Sequence, residues 1–180
     1  LDFRKIEVQE MKLHPAIGDI VGFSKDVCQS FMDIADKKNI RFSFSSNIDH
    51  LEIYFDRDKL EKILFNLLSN AFKYTHNDGE VSVIMTYHEP LNKDEDGSVE
   101  MEIKDTGIGI PADMQEKIFE RFFQTDVPQS MVNQGTGIGL AITKEFVNLH
   151  NGVIKVKSEP EKGTSFIVLF PAKKFYDPAL

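Results

Sequence analysis

The sequence contains no tryptophan, a single cysteine and no long apolar run. One cysteine, Cys28, excludes an intrachain disulfide framework and favours a reducing compartment. No segment approaches the roughly 20 apolar residues needed to cross a bilayer, and no signal peptide opens the chain. Because the chain begins at Leu1 rather than Met, we interpret it as a piece of a longer protein whose other parts can hold membrane spans.

Runs of basic residues are also missing. The chain has 21 Lys and Arg against 29 Asp and Glu, a formal net charge of -8. This balance disfavours nucleic acid or an anionic membrane surface as the main partner, and a polyphosphate ligand would need local positive charge. A length of 180 residues, 41% of them hydrophobic, suits one α/β domain with a full core.

The stretch from Ser98 to Asp105 has the period-2 alternation of a half-buried strand. Its apolar positions are Val99, Met101 and Ile103. Asp105 falls on the same side, so a carboxylate is predicted where the core would otherwise continue. The following Gly107, Gly109 and Pro111 let the backbone turn sharply and leave room for a flat ligand. Two interpretations remain open here: an acceptor at the bottom of a ligand pocket, or an Asp that caps a turn.

A helix predicted over Lys59–Tyr74 carries two stripes. The buried stripe contains Leu60, Ile63, Leu64, Leu67, Leu68 and Ala71. Beside it, Asn66, Asn70 and Lys73 lie within about 40° of one another and cover roughly 10 Å of helix axis. Amide oxygens suit Mg²⁺ and an ammonium suits phosphate, although a solvated polar face is the commoner explanation of such a stripe.

A polar stretch without periodicity, 124–134, leads into Gly135, Thr136, Gly137, Ile138 and Gly139. A helix over Leu140–His150 is predicted to follow at once. Glycines at a helix start offer backbone N–H groups to an anion, but a lone cluster of this kind is weak evidence.

The remaining elements are predicted from periodicity and turn residues. We expect one amphipathic helix over Ile20–Ala35 with Asp19 as N-cap. We also expect two short strands, Arg41–Ser45 and Leu51–Phe55, around a polar turn, and a strand pair of Glu80–His88 with Ser98–Asp105. A charged amphipathic helix should cover Ala112–Phe123. The last strands should be Val153–Lys157 and Ser165–Phe170, the latter apolar on both parities and therefore covered on both faces.

In this order the motifs resemble the N, G1, F, G2 and final glycine boxes of sensor histidine kinases. The segments that carry the resemblance are Asn66–Thr75, Asp105–Pro111, Phe119–Phe123, Gly135–Leu140 and Gly163–Phe166. The resemblance covers nearly the whole chain and extends to the superfamily of gyrase, heat-shock chaperone and MutL ATPases. It implies an α/β fold of the α+β two-layer type. In it a mixed sheet of about five strands is covered on one face by about three helices, with an ATP-lid loop.

The resemblance also implies residue roles for ATP and Mg²⁺. Asp105 would accept from the adenine amino group, Asn70 would ligate Mg²⁺, Lys73 would meet the phosphates and Tyr74 would flank the base. The other implied nucleotide-binding residues are Asn66, Gly107, Ile108, Gly109, Ile110, Phe123, Gly135, Thr136, Gly137, Ile138, Gly139, Leu140 and Thr164. Asn66 and Lys73 are the implied catalytic residues. Gln124 takes a position where many relatives have a cation.

Asn66 occupies the place that a water-activating Glu takes in the hydrolytic relatives, and an amide cannot act as that base. The implied activity is therefore transfer of the ATP γ-phosphoryl group to a histidine on a helical hairpin outside this fragment. Residues 1–13 would be the end of that dimerising hairpin, 14–172 the catalytic domain and 173–180 a linker. The further expected partners are a response regulator and, in the full-length protein, a second copy in a homodimer, but no nucleic acid. The domain is expected on the cytoplasmic side of a membrane-anchored sensor. A nucleotide-binding switch without transfer and a gyrase-type hydrolytic ATPase are the alternatives.

Overall fold

The computed structural model describes residues 12–120 and 139–176. Its strands are β1 (Ala16–Asp19), β2 (Arg41–Ser46), β3 (Glu52–Phe55), β4 (Glu80–His88), β5 (Ser98–Asp105), β6 (Val153–Glu159) and β7 (Gly163–Pro171). Its α-helices are α1 (Ile20–Gln29), α2 (Met32–Lys38), α3 (Arg57–Tyr74) and α4 (Gly139–Leu149). Two 3-10 helices, Ala112–Met114 and Lys117–Phe119, follow β5. Among these described helices, none is long and apolar enough to cross a membrane.

Five strands form a mixed sheet in the order β2-β4-β5-β7-β6. β2 runs parallel to β4, and the other three pairs are antiparallel. β1 and β3 form a separate two-stranded sheet. The predicted mixed sheet of about five strands is confirmed.

One face of the five-stranded sheet packs against the helices. The buried hydrophobic residues of its three central strands are Val81, Val83, Met85, Val99, Met101, Ile103, Phe166, Val168 and Phe170. α3 buries the predicted stripe against them, with Leu64, Leu67 and Leu68 at 0% exposure. Each fully buried leucine contributes roughly 1.5–3 kcal/mol, so α3 is the central support of the helical layer. The predicted two-layer sandwich is confirmed.

The region predicted as one helix over Ile20–Ala35 is two helices. Asp19 does cap the first, since its carboxylate accepts from the N–H groups of Val21 and Gly22. At the end of α1 the Ser30 hydroxyl donates to the Val27 carbonyl, a local hydrogen bond that competes with helix continuation. Ile34, on the second helix, is 43% exposed and lies off the buried stripe. β1 was missed because its four residues pair only with β3.

The strands on either side of the polar turn after β2 belong to different sheets. β2 pairs with β4, whereas β3 pairs with β1, so this turn does not close a hairpin. The prediction that β7 is covered on both faces is also wrong. β7 lies between β5 and β6, but Ile167 and Leu169 are only half-buried, on the face away from the helices.

The predicted helix over Ala112–Phe123 is wrong within the described residues, where two 3-10 turns replace it. Gln115 gives a physical reason. Its side-chain amide donates to the carbonyls of Ile110 and Ser158 at 3.0 and 2.9 Å, which ties this segment to the end of β6. Ile118 is buried, as its inward position predicts.

A buried ion pair holds the start of α3. Asp56 and Lys59 are each 3% exposed, and the Lys59 ammonium lies 3.1 Å from the Asp56 carboxylate. That carboxylate also accepts from the backbone N–H groups of His14 and Lys59. Burial alone would raise the pKa of Asp56, but these hydrogen bonds and the Lys59 charge hold the pKa below its ordinary value. Asp56 is thus helix cap, counter-ion and anchor of the incoming chain.

We therefore expect Asp56→Ala to lower the free energy of unfolding by about 3–5 kcal/mol, because it leaves a buried ammonium without a counter-charge. Urea denaturation measures this. Asp58→Ala is the matched control: Asp58 lies in the same helical turn and pairs with Lys62 at the surface, so its loss should cost under about 1 kcal/mol. Equal losses in the two variants would contradict the ion-pair explanation.

Candidate functional site

Asp105 ends β5 directly opposite Thr164 of β7 and is 7% exposed. Its Oδ1 accepts from the Gly107 N–H at 2.8 Å and from the Thr164 N–H at 3.2 Å. No hydrogen bond from any other described residue reaches Oδ2. The predicted inward position is confirmed, and the two interpretations of Asp105 prove compatible: Oδ1 caps the turn, and Oδ2 can accept from a ligand.

The environment of this carboxyl disfavours its charge. Burial raises the pKa of Asp105 to about 6, and the hydrogen bonds from Gly107 and Thr164 lower it only in part. At neutral pH the group is an ionised, buried acceptor. A ligand that donates a hydrogen bond to Oδ2 would offset part of the desolvation cost.

The loop after Asp105 is pressed between α3 and the β6–β7 turn. The Ile108 N–H donates to the Tyr74 carbonyl, and a Cβ on Gly107 would lie 2.4 Å from that same oxygen. Gly109 has φ +75°, and its Cβ would lie 2.1 Å from the Glu159 carbonyl oxygen. Both glycines are therefore required by contacts with backbone, as well as by the turn itself.

A second set of hydrogen bonds fastens this loop to β6 and β7. The Ile110 N–H donates to Ser158 Oγ at 2.7 Å, and the Glu161 N–H donates to the Ile108 carbonyl at 2.7 Å. Ser158 Oγ lies 2.8 Å from Thr164 Oγ1. No sequence motif indicated Ser158 or Gln115 as part of the site. The register of β6 with β7 would have revealed Ser158, because it is the partner of Thr164.

The polar stripe of α3 contacts α4 at its Asn66 end, and Tyr74, at the end of α3, contacts the 107–110 loop. The Asn66 amide donates to the Gly139 carbonyl at 3.2 Å and to Thr143 Oγ1 at 3.1 Å, which fixes the first turn of α4. Leu140, in the same turn, is half-buried. Thr143, fully buried, was not predicted as part of the site.

Asn70 and Lys73 lie one and two turns further along α3. No described residue makes a hydrogen bond with the half-buried Asn70 amide. The Lys73 ammonium lies 5.1 Å from the centroid of the Tyr74 ring. Burial lowers the pKa of Lys73 and raises that of Tyr74. This end of α3 therefore combines a cation with an amide that can ligate.

Lys38 of α2 contacts the C-terminal end of α3. Its ammonium donates to the carbonyl of Phe72 and, at 3.3 Å, to that of Thr75, the residue after α3. Burial lowers the pKa of Lys38. A cation at the C-terminal carbonyls stabilises a helix end, so α2 holds the end of α3 that carries Lys73 and Tyr74. No sequence pattern indicated this contact.

The structure thus joins Asp105, the 107–110 loop, Tyr74 and Thr164 by direct contacts, and it joins Asn66 to Gly139. Phe123, Gly135, Thr136, Gly137, Ile138 and the 124–134 stretch with Gln124 lie outside the described residues. Within the described ranges, no cluster of three or more His, Cys, Asp or Glu side chains could hold a metal ion. A Mg²⁺ ion here would take an amide oxygen in place of its more usual carboxylate ligands, and phosphate oxygens and water would complete its shell.

The sequence of the chain matches one known family. Residues 55–174, well over half of the chain, match the profile described as "Histidine kinase-, DNA gyrase B-, and HSP90-like ATPase". The chain belongs to this family. The predicted resemblance to the catalytic domain of sensor histidine kinases is confirmed by the relatives below.

Curated relatives of the family match almost the whole chain. Histidine kinase P4 of Formosa agariphila is 37% identical over 174 residues, which are 95% of this chain and 12% of that protein. Sensor histidine kinase TmoS of Ectopseudomonas mendocina is 36% identical over 171 residues, 95% of this chain and 17% of that protein. The chain therefore spans less than a fifth of the length of these two relatives.

Solved structures of family members share the fold. The nucleotide-free catalytic domain of histidine kinase ThkA superposes with a TM-score of 0.74 at 25% identity, covering 89% of this chain and 99% of that one. Full-length ShkA in complex with AMPPNP gives a TM-score of 0.75 at 28% identity, covering 92% of this chain and 33% of that one.

The raised pKa of Asp105 predicts a stability that depends on pH. Because the folded-state pKa, about 6, exceeds the ordinary 3.8, folding binds protons. The contribution of Asp105 to stability is therefore greatest below pH 4 and is lost as pH rises to 6. At pH 7.5 the ionised group costs the ligand-free domain about 3 kcal/mol.

We accordingly expect Asp105→Asn to raise the unfolding free energy of the ligand-free domain at pH 7.5, with a clearly smaller gain at pH 4.5. The amide oxygen can still accept from Gly107 and Thr164. Denaturant titrations at the two pH values check this, with exposed Asp113→Asn as control. A gain independent of pH would show that the buried charge is not the cause.

Proposed function

We propose that this chain is the ATP-binding catalytic domain of a two-component sensor histidine kinase. In this role it transfers the ATP γ-phosphoryl group to a histidine on a helical hairpin outside the fragment. The observation that carries the proposal is Asp105: a buried carboxylate with Oδ1 held by two backbone N–H groups and Oδ2 available to a donor. An adenine C6 amino group is a donor of the right chemistry. A related chain of 28% identity, ShkA, has been solved with AMPPNP.

The base would lie against the 107–110 loop. Gly107 and Gly109 let this loop pack closely against neighbouring backbone. Ile108 and Ile110 would supply apolar surface to the base, and the Tyr74 ring would flank it. Thr164 would add a second polar contact beside Asp105. This division, a few polar groups in an apolar surround, is typical of cofactor sites.

The phosphates would run along the polar stripe of α3 toward the start of α4. Lys73 would meet them with its charge, Asn70 would ligate Mg²⁺, and the dipole of α4 at Gly139 favours an anion. Bound Mg²⁺ would neutralise phosphate charge during transfer. Gly135, Thr136, Gly137, Ile138 and Leu140, and Phe123 in its own motif, are proposed to complete the nucleotide contacts.

Asn66 supports transfer over hydrolysis. Its amide cannot take a proton from water, and it donates to Gly139 and Thr143. Its role in this proposal is to hold α4 against α3 at the phosphate end. Lys73 then provides charge stabilisation of the transferred group. A switch module without transfer and a hydrolytic ATPase are the competing functions.

The partners proposed for the full-length protein are the histidine-bearing hairpin, a response regulator and a second copy in a homodimer. The curated relatives named as sensor kinases support this two-component setting. Three assignments remain predictions: the hairpin end at 1–13, the linker at 173–180 and the position of the domain on the cytoplasmic side of a membrane-anchored sensor. Within the domain, Lys173 O accepts from the Tyr54 N–H at 2.7 Å, so the chain just after β7 still packs on β3.

Nucleotide binding is tested by Asp105→Asn, with ADP affinity measured by calorimetry at pH 7.5. Because the amide turns an NH₂ donor toward the adenine amino group, we expect affinity to fall by about 1–3 kcal/mol. The same substitution should stabilise the ligand-free domain, so the two effects have opposite signs and unfolding cannot explain the lost binding. Unchanged affinity would remove Asp105 from the nucleotide site.

Transfer is tested with the chain extended N-terminally to include the hairpin. With Mg²⁺-ATP we expect acid-labile phosphohistidine on the hairpin and none on His14, His50, His76, His88 or His150. The unextended chain should bind nucleotide and turn it over barely above background. Binding without transfer in the extended chain would favour the switch module, and robust hydrolysis by the chain alone would favour the gyrase-like ATPase.

A further inference from the structure

A row of polar side chains crosses three strands at the end of the sheet. Ser158 of β6 lies opposite Thr164 of β7, which lies opposite Asp105 of β5. Directly paired residues of neighbouring strands project to the same face. The next row on this face is apolar and consists of Val156, Phe166 and Ile103. The polar row therefore lies where the core ends and the nucleotide site begins.

Hydrogen bonds fix the single proton of the Ser158 hydroxyl. Ser158 Oγ accepts from the Ile110 N–H at 2.7 Å, lies 2.9 Å from the Gly163 carbonyl oxygen and lies 2.8 Å from Thr164 Oγ1. A carbonyl oxygen can only accept, so Ser158 must donate to Gly163. In the remaining contact Thr164 must then donate to Ser158.

The Thr164 hydroxyl therefore has no proton left to donate, and it can only accept a hydrogen bond from a ligand. The ionised carboxylate of Asp105 likewise can only accept. Resting on the nucleotide binding proposed above, we propose that Ser158 is a specificity-determining residue. Because Ser158 accepts the hydrogen bond that Thr164 donates, this row of side chains can only accept hydrogen bonds from a ligand. The site then selects a purine with an amino group at C6 over one with an oxo group there.

An oxo group at this position would face acceptors and find no proton in the row. Sites built for a hydrogen-bond donor discriminate strongly against an analogue that lacks it, because their own polar groups are left unpaired. Without the Ser158 hydroxyl, Thr164 can rotate its proton toward the ligand and satisfy the oxo group. Ser158 would therefore act on the ratio of two affinities more than on either affinity alone.

The test compares ADP with inosine 5′-diphosphate, in which an oxo group replaces the C6 amino group. Calorimetry on the wild-type chain gives the ratio of the two dissociation constants, that of inosine 5′-diphosphate divided by that of ADP. We expect Ser158→Ala to lower that ratio about five- to tenfold, the effect of one neutral hydrogen bond. Ser158→Thr keeps the hydroxyl and should keep the ratio. Ser165→Ala changes the serine beside Thr164, which lies on the opposite face, and should also keep it.

Equal weakening of both nucleotides by Ser158→Ala, or no change in the ratio, would overturn the inference, since a merely structural role moves both affinities together. Thr164→Val supplies a second route should Ser158→Ala fold poorly. It removes Thr164 Oγ1, the acceptor through which Ser158 is proposed to act, so it should lower the ratio as well and leave nothing for an added Ser158→Ala to change. Wild-type chain that binds neither nucleotide would refute the proposed function itself, whereas selective binding with an unchanged ratio in the variants refutes only this inference.

Discussion

The site depends on the burial of one carboxylate at the end of a strand. Asp105 occupies a position that the apolar alternation of β5 would give to a core residue, and two backbone N–H groups offset only part of the cost. Those groups must be placed closely. Gly163 has φ +119°, and its Cβ would lie 2.0 Å from the Asp105 carbonyl oxygen, so the turn that presents the Thr164 N–H requires glycine. The strain of charge burial is thus built into the ligand-free domain and is relieved by a ligand that donates.

The support of this carboxylate is spread over parts of the chain that are far apart in sequence. Ile108 is tied to the end of α3 through Tyr74, and that end is capped by Lys38 of α2. On the other side, Ser158 and Gln115 tie the loop to β6. The 107–110 loop is held from both sides, so its backbone groups are positioned by packed elements and not by the loop itself.

Local patterns predicted the parts of the fold that obey a single period. The alternation of Val99, Met101 and Ile103 located β5 and the inward Asp105, and the stripe of α3 located the helix at the centre of the core. The period failed where another interaction overrides it: Ser30 ends α1 early, and Gln115 ties a predicted helix to the sheet as 3-10 turns. Sheet order was beyond the sequence, because the parallel pairing of β2 with β4 is a long-range choice. For the same reason Lys38 and Ser158 were not predicted, because their contacts with the motif segments join parts of the chain that are far apart in sequence.

The amide of Asn66 has a structural role in the packing of α3 against α4, in addition to lacking the basicity of a carboxylate. Hydrogen bonds hold the helices together near both ends of α4: Asn66 donates to Gly139 at its start, and the Asp56 N–H donates to Nε2 of His150 just after its end. The Nδ1–H of His150 donates to the Phe146 carbonyl, so Nε2 can accept only while the imidazole is neutral. Burial lowers the pKa of His150, which favours this neutral form. A carboxylate at position 66 would repel the Gly139 carbonyl that the amide binds. An amide at position 66 therefore lacks a water-activating carboxylate and also supplies the donor that fixes the first turn of α4.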